Sequence, residues 1–177
     1  MAVQIGARPD SGSDDPIGML QDCHRRIEHF LGIFLRVAED ARGRLLTPEE
    51  QAAIQAALHY FRTSGPLHNA DEEQSLFPRI RNGADLDVLG HVEKLEAQHR
   101  EAACLHGTIG HLFSVWTSNG TLPKKDGAAL LSAIETLQHL YTRHIQVEET
   151  IVFPYAKGRL DAAAIREFGA EFRSRRK

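Results

Sequence analysis

An eleven-residue segment occurs twice in the chain, and this repetition restricts the fold more than any other feature. The first copy runs from His68 to Pro78 and the second from His144 to Pro154, so matching residues lie 76 positions apart. Both copies contain histidine, a pair of glutamates, phenylalanine and proline in the same order. Residues four apart share one face of an α-helix, so each copy presents an imidazole beside a carboxylate. Two such faces turned toward each other offer the nitrogen and oxygen donors that transition metals prefer. The repeat predicts a dinuclear metal site inside a helical bundle.

The spacing of apolar residues predicts an all-α protein with four long helices and a short fifth one. Helix starts and stops place these five at about 15–43, 47–81, 86–116, 123–154 and from Asp161 onward. Short connections between long helices favour an up-down-up-down four-helix bundle, with the short C-terminal helix as an extra element. Ser64-Gly65-Pro66 predicts a bend or local unwinding just before His68.

The expected organisation is a single bundle domain at 14–157, preceded by a disordered tail at 1–13 and followed by the C-terminal helix at 158–177, packed on or beside the bundle. The basic cluster at the C-terminus favours a solvated helix end over a binding patch. It consists of Arg173, Arg175, Arg176 and Lys177.

Charge and composition argue against several classes of partner. A net charge of −3 gives no general attraction to nucleic acid or acidic membranes. The chain shows no apolar run that could cross a bilayer and no leader-like N-terminus. Cys23 and Cys104 have neither metal-binding nor redox spacing. We therefore expect a cytoplasmic protein with reduced thiols and no nucleic-acid or membrane partner.

The two halves of the chain also carry matching single histidines. His24 precedes His68 by 44 residues, and His99 precedes His144 by 45 residues. Each helical hairpin thus contributes one histidine and then a His-x-x-x-Glu pair. A purely structural role would bury too many polar groups without a compensating partner. The predicted metal ligands are His24, His68, Glu72, His99, His144 and Glu148.

This pattern resembles the hemerythrin-like, or HHE cation-binding, family over nearly the whole chain, from about Asp15 to Pro154. The resemblance implies a hemerythrin-like bundle around a non-haem di-iron centre, with two bridging carboxylates and an oxo or hydroxo bridge. Oxygen-carrying members place two histidines on the third helix as His-x-x-x-His. Here Leu95 and Ala103 flank His99 at those spacings, so the chain is more similar to members with one histidine there, which argues against reversible oxygen carriage.

Several polar residues lie near the predicted ligands along their helices. Glu28 and Glu96 could complete a metal's coordination, although solvated carboxylates are favoured. Glu73 and Glu149 follow the predicted bridging glutamates but are turned about 100° away, which predicts outward-facing charges. Tyr141 should face inward, either as a core tyrosine or, as the alternative, in a redox or hydrogen-bonding role beside the site.

The remaining histidines are not predicted to be ligands. His91 and His106 can face inward on the third helix, and a place at the mouth of the site is favoured over direct ligation. The residues expected at the surface or at its boundary are His29, His59, His111 and His139.

Four imidazoles and two carboxylates without thiolate suit iron, with manganese or zinc as alternatives. Two bridging glutamates and a solvent bridge would leave about one open position on each metal. The leading hypothesis is a non-haem di-iron protein that binds or turns over O2, H2O2 or NO, with catalase-like peroxide disproportionation as its enzymatic form. The alternative is a non-enzymatic sensor or iron-handling protein that contacts an unknown protein partner through its C-terminal helix. Zinc-dependent hydrolysis is disfavoured, because no nucleophile or substrate pocket is evident.

Overall fold

The computed structural model describes residues 11–12 and 14–177, so most of the predicted N-terminal tail lies outside the described residues. Within them the protein is all-helical and contains no strand. Its elements are α1 (Pro16–Ala41), α2 (Pro48–Asp71), a first π-helical turn (Glu72–Leu76), α3 (Phe77–Arg81), α4 (Leu86–Asn119), α5 (Lys124–Val147), a second π-helical turn (Glu148–Val152), α6 (Phe153–Arg159) and α7 (Ala162–Ser174).

The helix starts follow the capping residues predicted from the sequence. The Asp15 side chain accepts a hydrogen bond from the Gly18 N–H, and Pro16 occupies the first position of α1. Thr47 and Glu50 form a reciprocal capping box at the start of α2. Asp161 caps α7, where its carboxylate accepts from the backbone N–H three residues later. These caps fix the directions in which the long helices leave their loops.

The predicted unwinding at Pro66 is wrong, because α2 continues through this residue to Asp71. Pro66 is exposed, so water can hydrate the carbonyl group that loses its hydrogen-bond partner. The helical winding instead changes later, in the π-helical turns. Phe77 and Phe153 each donate their N–H to the carbonyl group five residues back rather than four.

Each π-helical turn therefore begins at the glutamate of one copy of the repeated segment. The proline of that segment follows directly after the phenylalanine and has no N–H to donate. One backbone hydrogen bond of the helix is therefore missing at this point, which lets the helix widen into a π-helical turn. The spacing of the residues predicts neither π-helical turn.

The long helices surround a common interior. α1 packs against α2 and α5, and α4 packs against the same two helices. One apolar cluster contains Phe34, Phe61, Phe113 and Trp116. A second contains Phe77, Phe153, Phe168 and Phe172, the last two from α7. The predicted ligands lie between residues of the two clusters along each helix, so they form a polar layer between two apolar ones.

Among the described residues, no helix combines the length and the apolar character needed to cross a membrane. The cytoplasmic location expected from the sequence stays a prediction.

Candidate metal centre

All six predicted ligand residues converge in the layer between the apolar clusters. None is more than 5% exposed, and both glutamates are completely buried. They form two groups of four, and in each group one potential ligand atom per residue lies within 4.8 Å of all the others. His24 and His68 belong to the first group and His99 and His144 to the second, whereas Glu72 and Glu148 belong to both.

Each shared glutamate divides its two oxygens between the histidine pairs. Glu72 Oε1 lies 3.3 Å from His68 Nε2, and Glu72 Oε2 lies 3.3 Å from His99 Nε2. Glu148 repeats this arrangement, with Oε2 at 3.1 Å from His24 Nε2 and Oε1 at 3.3 Å from His144 Nε2. The two carboxylates therefore span the gap between two places that are each lined by two imidazoles.

Several of these atoms have no hydrogen-bond partner despite their burial. They comprise both carboxylate oxygens of Glu72 and of Glu148, together with His24 Nε2 and His68 Nδ1. An unsatisfied buried polar group costs about 1–3 kcal/mol, and more when it is charged. The carboxylate oxygens and His24 Nε2 lie in the centre, so a pair of cations there would satisfy these atoms, whereas the nitrogen that His68 directs toward Glu72 is Nε2. The donors present thus fit a metal site.

The electrostatics of the metal-free centre are unfavourable to two adjacent carboxylates. Burial, and then the neighbouring Glu148, raise the pKa of Glu72 well above its usual value. Burial opposes ionisation of Glu148 as well, but His144 and His24 hold the pKa of that carboxyl group well below its ordinary range. The carboxylate pair therefore keeps a proton on Glu72, as expected for two acidic groups facing each other in a dry interior.

The two histidines of the first group, His24 and His68, also have pKa values shifted in opposite directions. Burial and the nearby His24 lower the pKa of His68 well below 6.5. Burial also disfavours charge on His24, yet the Glu148 carboxylate beside it raises the pKa of His24 to about 9. The first histidine pair thus combines one neutral and one protonated ring in the absence of metal.

Two further glutamates contact the outer nitrogens of the histidines, which the prediction of outward-facing charges did not include. Glu149 Oε1 lies 2.9 Å from His24 Nδ1, and Glu73 Oε1 lies 2.7 Å from His99 Nδ1. A rotation of about 100° from the bridging residue brings each side chain to a boundary between helices, where 39% of the Glu73 side chain and 37% of the Glu149 side chain stay exposed to solvent. Each carboxylate then reaches across to a histidine of the other hairpin.

Each carboxylate can accept the Nδ1 proton of its histidine, and the Nε2 atom of the ring is then the nitrogen directed toward the centre. His144 has a similar support, because its Nδ1 lies 3.0 Å from Gln98 Oε1. The sequence contained a sign of the glutamate contacts, since Glu73 and Glu149 also lie 76 positions apart. The sequence contained no sign of the contact between Gln98 and His144.

The other residues singled out in the sequence lie outside the centre. Glu96 forms an ion pair with Arg81, with 2.8 Å between Oε1 and Nη2. Glu28 is exposed and borders a groove that leads to His24. Tyr141 is buried, as predicted, and its hydroxyl group lies 3.1 Å from His106 Nε2. His91 is half-buried, and the four histidines predicted near the surface are all exposed.

The C-terminal basic cluster is not the solvated helix end favoured from the sequence. Arg175 and Arg176 both form ion pairs with Asp71, which is completely buried. Arg173 and Lys177 are exposed. Two of the four residues in the cluster therefore pair with a buried carboxylate, although Arg176 as a whole residue stays exposed.

Known proteins share this sequence pattern. The family described as hemerythrin HHE cation binding domain matches residues 15–156. The iron-sulfur cluster repair protein YtfE of Escherichia coli O81 (strain ED1a) is 32% identical over 93 residues, which cover 50% of this chain and 40% of YtfE. An uncharacterized protein of Haemophilus influenzae is 27% identical over 163 residues, which cover 92% of this chain and 91% of that protein.

The alignment thus spans less than half the length of the YtfE relative. No solved structure matches the chain significantly. The family match covers most of the chain and includes every residue of the polar layer. The protein belongs to the hemerythrin HHE cation-binding domain family.

Proposed function

We propose that the protein holds two iron ions in an up-down-up-down four-helix bundle and binds or turns over a small oxidant or gas, namely O2, H2O2 or NO. His24 and His68 would hold one ion, His99 and His144 would hold the other, and Glu72 and Glu148, which belong to both groups, would contribute to both ions. The observation that supports this most strongly is the division of each buried carboxylate between the two histidine pairs.

The donor set supports iron, with manganese or zinc as alternatives, because it contains imidazole and carboxylate but no thiolate. Cys23 lies next to His24 in the sequence but belongs to the apolar cluster. Burial raises the pKa of Cys23 to about 11, so the group stays a thiol at neutral pH and is a poor ligand.

When bound, two adjacent iron ions supply redox equivalents and open positions for small molecules. The chain's own residues keep the surroundings ordered and dry. Glu73 and Glu149 orient two of the imidazoles through Nδ1. Phe77 stacks on His99 with 6.4 Å between ring centroids, and Phe153 stacks on His24 at 5.5 Å. These rings cover the outer faces of the histidines and limit the access of water.

The surroundings of His99 favour turnover or oxidation over reversible oxygen carriage. Leu95 is buried in the second apolar cluster, and Ala103 is exposed. Neither position one turn from His99 supplies a further imidazole, so each ion would receive two imidazoles and two carboxylate oxygens. Both ions would keep room for an exogenous ligand.

A second candidate function is iron handling or sensing without catalysis. It is favoured by the similarity to YtfE, whose name describes iron-sulfur cluster repair. The shared segment covers half of this chain, and a repair role for this protein is accordingly a proposal. In that case iron would leave or change oxidation state in response to the cell's condition, and no substrate would be turned over.

One experiment distinguishes the two functions. The protein is loaded with ferrous iron without air, its iron content is measured, and hydrogen peroxide is added while oxygen evolution is followed. Steady oxygen evolution that is lost in Glu72→Gln and kept in Glu96→Gln supports the catalytic function. Glu96 is the matched control because it is a glutamate outside the centre.

Two ions per chain without oxygen evolution would favour the sensor or iron-handling function. The same sample is then exposed to air and returned to anaerobic conditions while its visible spectrum is recorded. A long-lived oxygen complex that reverts on oxygen removal would contradict the turnover proposal and assign the protein to oxygen carriage. Failure to bind any iron would contradict both functions.

A further inference from the structure

We infer that the C-terminal segment positions the bridging carboxylate of Glu72, because the two arginines that directly follow α7 clamp the first π-helical turn. The inference rests on the proposed metal centre and adds to it a control on metal retention. The clamp consists of Arg175, Arg176, Asp71 and Ser75.

The clamp connects the two ends of the segment that carries Glu72. Arg175 Nη1 donates to Asp71 Oδ1 at 2.8 Å, and its Nη2 donates to Ser75 Oγ at 2.7 Å. Arg176 Nη2 donates to the other oxygen of Asp71 at 2.6 Å. Asp71 directly precedes Glu72, and Ser75 follows it within the same turn. The guanidinium of Arg175 therefore spans the turn from its N-terminal flank to its fourth residue.

α7 is firmly attached to the bundle, which makes it a suitable anchor for the clamp. Phe172 is 1% exposed, and the Arg176 guanidinium lies 3.6 Å from the centroid of its ring. Glu171 accepts two hydrogen bonds from Arg79, at 2.8 and 3.1 Å. Arg79 also donates to the backbone carbonyl of Ser75 at 2.9 Å. The same short segment is thus held through Asp71, through the Ser75 side chain and through its backbone.

Glu72 benefits from such support because no hydrogen bond holds its own carboxylate. Neither of its carboxylate oxygens has a hydrogen-bond partner, so its position depends on the backbone of the π-helical turn. Such turns are uncommon and less regularly paired than an α-helix, so their surroundings must stabilise them. A small displacement of the turn would move both oxygens of the bridge at once. The clamp limits this displacement.

In the part of the chain that the structure describes, the second half of the centre has no hydrogen-bonded clamp at the matching positions. The residues 76 positions after Asp71 and Ser75 are Val147 and Ile151, which cannot accept a hydrogen bond through their side chains. The clamp therefore acts on the turn that carries Glu72 and not on the turn that carries Glu148. Loss of the clamp should loosen one of the two bridges.

The test compares Arg175→Gln/Arg176→Gln with the wild type and with Arg173→Gln. Arg173 is an exposed arginine in the last turn of α7, close to the two clamp arginines, and serves as the matched control. For each protein the melting temperature is measured without metal and with ferrous iron, and iron release to a chelator is followed in time. Changes in residues that support metal ligands typically weaken metal binding about 10–100-fold.

We expect iron release from the double variant to be about tenfold faster or more, with a smaller rise in melting temperature on metal binding. Arg173→Gln should behave as the wild type does, and Arg175→Lys/Arg176→Lys should lie between them, because lysine keeps the charge without the forked geometry. If the double variant does not fold, Ser75→Ala decides the matter, since it removes one hydrogen bond and leaves no buried charge unpaired; faster release is again expected.

Equal losses of melting temperature with and without metal, together with an unchanged release rate, would show that α7 is only a structural support and overturn the inference. This outcome leaves the metal centre itself intact. A wild-type protein that binds no iron would overturn the proposed centre and the clamp's role together.

Discussion

Protonation of His106 should destabilise the fold between pH 7 and pH 5. The ring packs against Phe61 with 4.2 Å between centroids, and its Nε2 lies 3.1 Å from the Tyr141 hydroxyl group, which can donate to it. Burial lowers the pKa of His106 from 6.5 to about 4. Arg62 and His111 border the same groove, and no carboxylate is among the residues that line it.

The direction of this pH dependence follows from proton uptake by His106. The folded-state pKa of His106 lies below the unfolded value, so the unfolded chain binds this proton more readily. The histidine's stabilising contribution is present above the unfolded pKa and is lost as the pH falls from about 6.5 toward 4. The whole shift corresponds to about 3 kcal/mol, of which about 2 kcal/mol should be lost by pH 5.

The assay is urea unfolding of the metal-free protein at pH 7 and pH 5, compared with His106→Gln. Glutamine can accept the Tyr141 hydrogen bond and does not titrate. The wild type should lose about 2 kcal/mol more than this variant over the interval. His111→Gln, an exposed histidine of the same groove, should behave as the wild type does. Groups of the metal centre titrate in all three proteins, so their contribution to the pH dependence of unfolding cancels in the comparison. An identical pH dependence in the wild type and His106→Gln would refute the reasoning.

Three further outcomes are expected from the centre itself. Chelation should lower the melting temperature, because ions that bind only the folded form stabilise it, and coincident melting curves would argue against an interior site. Glu72→Ala should reduce metal content toward one ion or none per chain, with a less complete loss in His68→Ala; two ions in Glu72→Ala would rule out its bridging role. Glu73→Gln should weaken binding of the ion at His99 about tenfold in a competition titration, because a carboxylate supports the imidazole better than an amide does. An unchanged affinity for this ion would count against that support.

The sequence predicted the helix boundaries well where local chemistry decides them. Asp15, Thr47 and Asp161 each offer a side-chain acceptor to a helix start, and such bonds depend only on neighbouring residues. Pro66 shows the limit of this approach. Its effect depends on whether it faces water or the core, which the local sequence does not specify. The π-helical turns likewise depend on how the surrounding helices pack.

The convergence of the six predicted residues followed from the repeat, and their role as metal ligands stays a prediction. Helical periodicity placed His68 beside Glu72 and His144 beside Glu148, and the matching offsets paired the two halves. The supporting contacts were harder to predict. The contact of Glu73 with His99 was missed because a helical angle says nothing about the neighbouring helix. The interaction of Asp71 with Arg175 joins residues 104 positions apart and has no repeated counterpart.

The crossed contacts between Glu149 and His24 and between Glu73 and His99 have a consequence for the order of folding. Each carboxylate belongs to one hairpin and its histidine to the other, and the first pair is separated by 125 residues. Closing a loop of that length is slow compared with forming a helical hairpin. During synthesis, His24, His68 and Glu72 emerge long before Glu148 exists. The first hairpin alone therefore holds only part of the proposed ligand set, and the proposed centre would be complete only after the two halves of the chain have docked.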